Sequence, residues 1–68
     1  MSKVTQIFSF GYGQLYPNGY IKITAENAKA ARAEMFRLYG PKWSMQYNED
    51  QEQSLQSFGM YLVEEISI

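Results

Sequence analysis

One segment with clear helix start and stop signals constrains the fold of this chain more than any other feature. Asn27 is a typical N-cap residue, and residues 28–39 after it are rich in strong helix formers. Apolar side chains recur there at the spacing of one helical face. Gly40 and Pro41 follow directly, and this pair is typical of a helix end. The sequence therefore predicts one helix over residues 28–39.

The segments before this helix alternate in the way that strands do. Residues 3–10 and 20–25 are rich in β-branched and aromatic side chains. Between them, residues 11–19 contain turn formers such as Pro17 and Gly19. The pattern predicts a hairpin with a long tip rich in Gly and Tyr.

After the helix, the sequence predicts two more strands, over residues 43–47 and 60–68. The polar residues 48–56 between them predict a loop or a short helical turn. Glu64 interrupts the alternation of the last strand. Either a β-bulge shifts the register of that strand, or its apolar face is partly open.

These elements predict an α+β fold of order β-β-α-β-β, with one helix packed on a mostly antiparallel four-stranded sheet. Residues 1–68 form a single domain, because so few residues cannot build two cores. Aromatic residues make up 16% of the chain and favour an efficient core. Oligomerisation is the usual further support for so small a core, so we expect a homodimer.

The chain contains neither Cys nor His. This excludes thiol nucleophiles, thiolate zinc sites and histidine general bases. Gly11 and Gly13 lack the third glycine and the directly following helix of a dinucleotide-binding loop. The acidic residues after position 48 lack the spacing of a calcium loop. We expect no enzyme, no catalytic residue, no metal and no cofactor.

Charge is distributed unevenly along the chain. Every basic residue lies within residues 1–42, whereas residues 43–68 contain acidic residues and no basic ones. This asymmetry can orient a polar partner, although folding can also interleave the two halves. Lys29 and Arg32 share a helix face, and with Lys22 they form either an anion-binding strip or a solvated surface.

Three aromatic residues on the predicted strands allow two interpretations. Phe8, Phe10 and Tyr20 form either core packing or a surface on which nucleic-acid bases stack. The net charge of −1 lacks the basic excess of a nucleic-acid-binding domain. Nucleic acid is therefore the less favoured partner, and a protein the more favoured one.

Membrane and secretion signals are the last feature that bears on the partner. The first residues lack the apolar segment of a signal peptide, and no apolar run reaches 18 residues. We expect an intracellular, cytoplasmic protein with no membrane partner.

Four stretches of the chain carry a resemblance to a known family. Over roughly residues 7–47 the chain resembles a family of short accessory proteins of bacteriophages and prophages, in the stretches F-S-F-G-Y-G-Q, Y-I-K-I-T-A-E-N, A-A-R-A-E-M-F-R-L-Y-G and K-W-S-M-Q-Y. The resemblance implies a bacterial host cell as the setting. It carries no catalytic residue over to this chain.

The function predicted from these observations is stoichiometric binding of a host protein, as an inhibitor of a host defence system such as CRISPR. The alternatives are a nucleic-acid or nucleotide-binding module and a homo-oligomeric structural protein of the phage particle. Tyr and acidic side chains at two predicted loops are the candidate contacts, because aromatic residues mark interfaces and acids can imitate phosphates. The predicted contact residues are Tyr12, Gln14, Tyr16, Asn18, Glu49, Asp50 and Glu52.

Overall fold

The computed structural model describes residues 3–11, 13–14 and 16–68. The predicted order of four strands and a long helix is confirmed, and the polar segment after the third strand forms a helical turn and a second, short helix. The elements are β1 (Val4–Ser9), β2 (Gly19–Ala25), α1 (Ala28–Tyr39), β3 (Met45–Asn48), the 3-10 turn Glu49–Gln51, α2 (Glu52–Ser57) and β4 (Tyr61–Ser67).

The four strands form one mixed sheet in the order β3-β1-β2-β4. β1 pairs antiparallel with both β2 and β3, whereas β4 runs parallel to β2. β3 and β4 therefore run in the same direction, and such strands need a crossover connection. The 3-10 turn and α2 provide this connection.

A register shift interrupts the pairing of β4 with β2. Tyr20 pairs with Leu62 and Ile21 pairs with Glu64, so Val63 is an extra residue on β4. This is the β-bulge that was one of the two alternatives predicted near Glu64. The bulge changes the face to which the following β4 side chains point.

α1 covers one face of the sheet, which we call the first face. The helix begins where Asn27 Oδ1 accepts a hydrogen bond of 2.7 Å from the Ala30 N–H. It ends at Gly40, whose φ of 60° lies in the region that favours glycine and whose N–H donates to the Phe36 carbonyl. The buried core on this face consists of Phe8, Phe10, Ile21, Ile23, Ala25, Ala31 and Met35.

α2 covers part of the opposite, second face of the sheet. Its buried Leu55 packs with Ile7 and Tyr20, and Tyr47 and Met60 border this cluster. The prediction of one helix was therefore incomplete. α2 spans six residues and buries Leu55 alone, so it has no apolar period by which a helix is recognised.

Among the residues described above, no helix is long and apolar enough to cross a membrane.

Candidate functional site

An open groove lies between α1 and β3 on the first face of the sheet. Its volume is about 520 Å³, within the range of ligand sites in proteins. Several of its side chains are apolar or aromatic, and one is a cation. We call it the α1–β3 groove, and it is lined by Gln6, Arg32, Phe36, Pro41, Trp43, Ser44, Met45 and Gln46.

The connection between α1 and β3 gives the groove its shape. The helix stops at Gly40, and the Lys42 N–H donates to the Tyr39 carbonyl at 3.2 Å, which turns the chain back towards the sheet. The Ser44 N–H then donates to the Ser9 carbonyl at 2.7 Å. This bond ties the entry of β3 to the end of β1 and leaves Trp43 between the helix and the sheet.

Trp43 is the aromatic centre of the groove. Its ring packs edge to face against Phe8 in the core, with 5.1 Å between ring centroids, and against Phe36 on α1 at 5.4 Å. Aromatic pairs at such distances stabilise beyond the area that they bury. The indole Nε1 is buried and has no hydrogen-bond acceptor among the residues that the structure describes.

Arg32 lies over both rings of this pair. Its guanidinium carbon is 5.4 Å from the centroid of Phe36 and 5.2 Å from that of Trp43, which is cation–π geometry. Its Nη1 donates to Gln46 Oε1 at 3.2 Å. The guanidinium is thus held by two rings and one amide oxygen.

The two arginines of α1 differ in their partners. Arg37 is paired with Glu34, three residues earlier on the helix. Within residues 3–11, 13–14 and 16–68, no ion pair includes Arg32. Arg32 and Glu34 are two residues apart and do not face each other on a helix. Arg32 therefore has its positive charge available to the groove.

A chain of side-chain amides supports the floor of the groove. Gln46 Nε2 donates to Gln6 Oε1 at 3.0 Å, and Gln6 Nε2 donates to Asn48 Oδ1 at 3.1 Å. These bonds satisfy the buried Gln6 side chain and orient the Gln46 oxygen towards Arg32. These hydrogen bonds therefore define the floor of the groove in the free protein.

A separate polar cluster lies on the second face. Tyr20 Oη donates to Glu52 Oε2 at 2.8 Å and accepts from Gln56 Nε2 at 3.0 Å. Lys22 Nζ donates to Glu52 Oε1 at 3.1 Å and lies 3.8 Å from Glu65 Oε2. We call these residues the α2 clamp, because they hold α2 and β4 to β2.

The α2 clamp shifts three pKa values. Burial raises the pKa of the Tyr20 phenol. The hydrogen bond to Glu52 raises the pKa of Lys22, and the hydrogen bond from Tyr20, followed by that from Lys22, lowers the pKa of Glu52. The clamp thus favours the charged forms of Lys22 and Glu52, which matches a structural role.

The predicted hairpin contacts lie at or near the turn between β1 and β2. Gln14 Oε1 accepts from the Gly11 N–H at 2.6 Å, which is a local turn contact. Tyr16 is half-buried and packs edge to face against Phe10, so it belongs partly to the core. Asn18 is exposed with a φ of 64°. The predicted contact Tyr12 lies outside the described residues.

The predicted acidic contacts fall into two environments. Glu49 and Asp50 are exposed on the 3-10 turn. Glu52 instead belongs to the α2 clamp, where Tyr20 and Lys22 occupy its oxygens. The structure therefore leaves Glu49 and Asp50 open to solvent and engages Glu52 within the fold.

The alternative prediction, a surface on which bases stack, is wrong. Phe8, Phe10 and Tyr20 are all buried, so none presents an open ring face to a base. Phe8 and Phe10 belong to the core on the first face, and Tyr20 to the cluster under α2. Of the two interpretations given for these rings, core packing is the one that the structure supports.

The α1–β3 groove was not predicted from the sequence, although Arg32 was part of a predicted basic strip. The residues of this strip lie on different faces of the sheet. Lys22 belongs to the α2 clamp on the second face, whereas Arg32 lines the groove on the first face. The sequence signal that could have indicated this groove was Trp43, which follows closely after the end of the helix. Its pairing with Arg32 requires the tertiary fold.

A second exposed apolar surface lies beyond α2. Phe58 is 82% exposed, and Tyr61 and Leu62 at the start of β4 are about half exposed. We call these three residues, which lie close together in the sequence, the β4 patch.

Comparisons of this chain with protein-family models, with curated proteins and with solved structures find no match.

Proposed function

We propose that this protein acts by binding another protein stoichiometrically, through the α1–β3 groove. The observation that carries the proposal is the assembly of Arg32, Phe36 and Trp43 in one groove. Trp and Arg dominate interface hot spots, and Phe is enriched at interfaces. This set of residue types in one open groove favours a protein partner.

Contacts within the fold orient two side chains of the groove, which supports binding. Trp43 is packed against Phe8, and the exposed Arg32 contacts two rings and Gln46. Ordering a free side chain on binding costs about 0.5–1.5 kcal/mol, and these contacts reduce that cost. Phe36 remains 43% exposed, so a partner gains apolar area by covering it.

The side chains of the groove support binding better than catalysis. None of the eight lining residues is an acid, a cysteine or a histidine. General acid–base catalysis most often uses His, Glu or Asp, and the groove offers none of them to activate Ser44.

Affinity capture with matched variants tests this proposal. The tagged protein, its Phe36→Glu variant and its Phe58→Glu variant are each incubated with bacterial lysate after nuclease treatment. We expect the wild type and Phe58→Glu to retain one protein at 1:1 stoichiometry, and Phe36→Glu to lose it. Both substituted side chains are exposed, so circular dichroism should show intact folds. Equal retention by all three proteins would contradict a role for the groove.

A narrower proposal is that the partner is a protein of a bacterial defence system. Its support is the resemblance to phage accessory proteins, together with the binding groove; it is an argument by analogy. Expression of the protein in cells whose CRISPR system targets a plasmid should restore transformation by that plasmid. The Phe36→Glu variant should not restore it. Unchanged interference with the wild-type protein would contradict CRISPR as the target.

Self-association is a second candidate function, and the observation that favours it is the β4 patch. Tyr61 and Leu62 lie on β4, an edge strand of the sheet, and Phe58 lies at the end of α2 just before this strand. Light scattering over a concentration series measures this directly. A mass that rises to twice the monomer value, and that falls back in Phe58→Asp, would support a homodimer through this patch. A constant monomer mass would contradict it.

A further inference from the structure

We infer that the α1–β3 groove binds an extended peptide segment that carries an aspartate or glutamate, whose carboxylate pairs with Arg32. This inference rests on the proposed protein-binding function and names the chemistry of the partner at the same site. Four features of the groove support it: the unpaired charge of Arg32, the charges around this residue, the apolar rim, and the covered faces of the two aromatic rings.

Arg32 presents an unneutralised guanidinium. Within the described part of the chain it donates to one oxygen, Gln46 Oε1, and forms no ion pair. A guanidinium has five N–H donors in a planar fork that matches a carboxylate in two parallel hydrogen bonds. The packing on Phe36 and Trp43 fixes the plane of this fork before binding. The guanidinium is thus oriented for a carboxylate before binding.

The surroundings of Arg32 add positive charge and no negative charge at the groove. None of the lining residues is acidic. Lys29 lies three residues before Arg32 on α1 and is exposed, so both belong to neighbouring helix surface. Pro41 also lines a second depression, together with Lys42. A segment running from Arg32 past Pro41 would therefore meet a second cation.

The rim of the groove is apolar on the α1 side. Phe36 is 43% exposed there. A segment that places a carboxylate on Arg32 would lay a neighbouring apolar side chain against this ring. The matching ligand is therefore an acidic residue beside an apolar one, in an extended chain.

The same geometry disfavours a nucleic acid. The rings of Phe36 and Trp43 contact each other edge to face, and Arg32 lies over both, so their faces are not open for base stacking. The net charge of −1 also lacks the basic excess of a nucleic-acid-binding domain.

Trp43 is the one tryptophan of the chain, so its fluorescence reports on the groove itself. A library of random dodecapeptides is selected on the immobilised protein, and the enriched peptides are titrated while this fluorescence is followed. We expect enriched peptides to share an Asp or Glu next to an apolar residue. Replacing that acid by Asn or Gln should weaken binding about 10- to 100-fold, the loss typical of a charge-assisted hydrogen bond.

Two variants on the same helix separate the role of Arg32 from general charge. Arg32→Gln should weaken the binding of the acidic peptides by the same factor. Arg37→Gln should leave their binding unchanged, because Arg37 is paired with Glu34. Circular dichroism verifies that both variants fold. Arg32→Gln binding the acidic peptides as tightly as wild type would overturn the inference.

The outcomes also separate this inference from the proposed function. Enriched peptides that perturb Trp43 but lack an acid would overturn the carboxylate inference and leave the protein-binding groove standing. If no peptide of any composition perturbs Trp43, the peptide inference fails, and the affinity capture with its matched variants decides the proposed function separately. Salt-sensitive perturbation of Trp43 by oligo-dT, with none by peptides, would replace the peptide with a nucleic acid.

Discussion

Tyr20 and Glu52 are joined by a hydrogen bond of 2.8 Å between the phenol and the carboxylate, although 32 positions separate them in the chain. This bond connects β2, in the middle of the sheet, to the first residue of α2. α2 has only six residues and would be unstable alone. Its position on the second face therefore depends on the α2 clamp and on Leu55.

Removing the Tyr20 hydroxyl tests the clamp. Tyr20→Phe deletes the bonds to Glu52 and Gln56, and we expect the free energy of unfolding to fall by about 1–3 kcal/mol. Urea denaturation measures this loss. Tyr47→Phe is the matched control, because Tyr47 borders the same cluster and its hydroxyl forms no hydrogen bond with the described residues. Equal losses of unfolding free energy in both variants would contradict a stabilising role for the hydrogen bonds of the clamp.

The lowered pKa of Glu52 predicts a loss of stability in acid. A carboxyl whose pKa is lower in the folded state than in the unfolded state stabilises the fold above its ordinary value, here 4.5. This contribution disappears as the pH falls through the lower folded value. We expect the free energy of unfolding to decline between about pH 5 and pH 3, and to decline less steeply in Glu52→Gln.

Glu34 has a pKa lowered chiefly by its hydrogen bond with Arg37, so it is the control for this pH dependence. It pairs with Arg37 on α1 and has no contact with the clamp among the hydrogen bonds and ion pairs of the described residues. Glu34→Gln should therefore leave the acid dependence of amide hydrogen exchange in α2 unchanged. An identical pH profile for wild type and Glu52→Gln would show that the clamp carboxylate does not contribute.

Leu55 is predicted to hold α2 to the sheet. Leu55→Ala removes the buried apolar side chain of this helix and should lower the free energy of unfolding by about 2–4 kcal/mol. Amide hydrogen exchange should accelerate first in α2. Phe58→Ala, three residues later and largely exposed, should change stability by less than about 0.5 kcal/mol. If the two variants lost similar stability, the assignment of Leu55 to the core would be wrong.

Gly19 is predicted to be intolerant of any side chain. A Cβ there would lie 2.5 Å from Val63 Cγ2 and 3.0 Å from the Tyr16 carbonyl oxygen, which accepts the Gly19 N–H. We expect Gly19→Ala to cost about 1–3 kcal/mol in thermal or urea unfolding. Adding Val63→Ala should recover part of this loss.

Gly11→Ala is the matched control for Gly19→Ala in the same hairpin. Its Cβ would meet Ser44 Oγ at 3.5 Å, an ordinary contact, so we expect little loss. A larger loss at Gly11 than at Gly19 would contradict the close approach of β4 to the start of β2.

The parts of the fold predicted from the sequence are those with local signals. α1 was predicted because Asn27, the apolar spacing and Gly40 all act within a few residues of the helix. The interruption at Glu64 indicated either a bulge or a partly open face, and only the pairing with β2 reveals a bulge with Val63 as the extra residue. α2 has one buried apolar residue and therefore no periodic signal.

The candidate site could not be predicted because it depends on contacts between elements. Arg32 lies on α1 and Trp43 on the connection to β3, and nothing in their spacing indicates that they meet. The hairpin and acidic residues were selected by residue type alone. Residue type did not reveal that Tyr16 packs against the core or that Glu52 is bound by Tyr20 and Lys22.

The most direct test of the central claim is a map of amide chemical-shift changes in the ¹⁵N-labelled protein as the selected acidic peptide is added. We predict that the largest changes lie around the α1–β3 groove, at Arg32, Trp43 and Met45. The Arg32→Gln variant should show them only at higher peptide concentrations. Changes centred on Phe58 and Leu62 in the β4 patch, with the groove unaffected, would contradict the account.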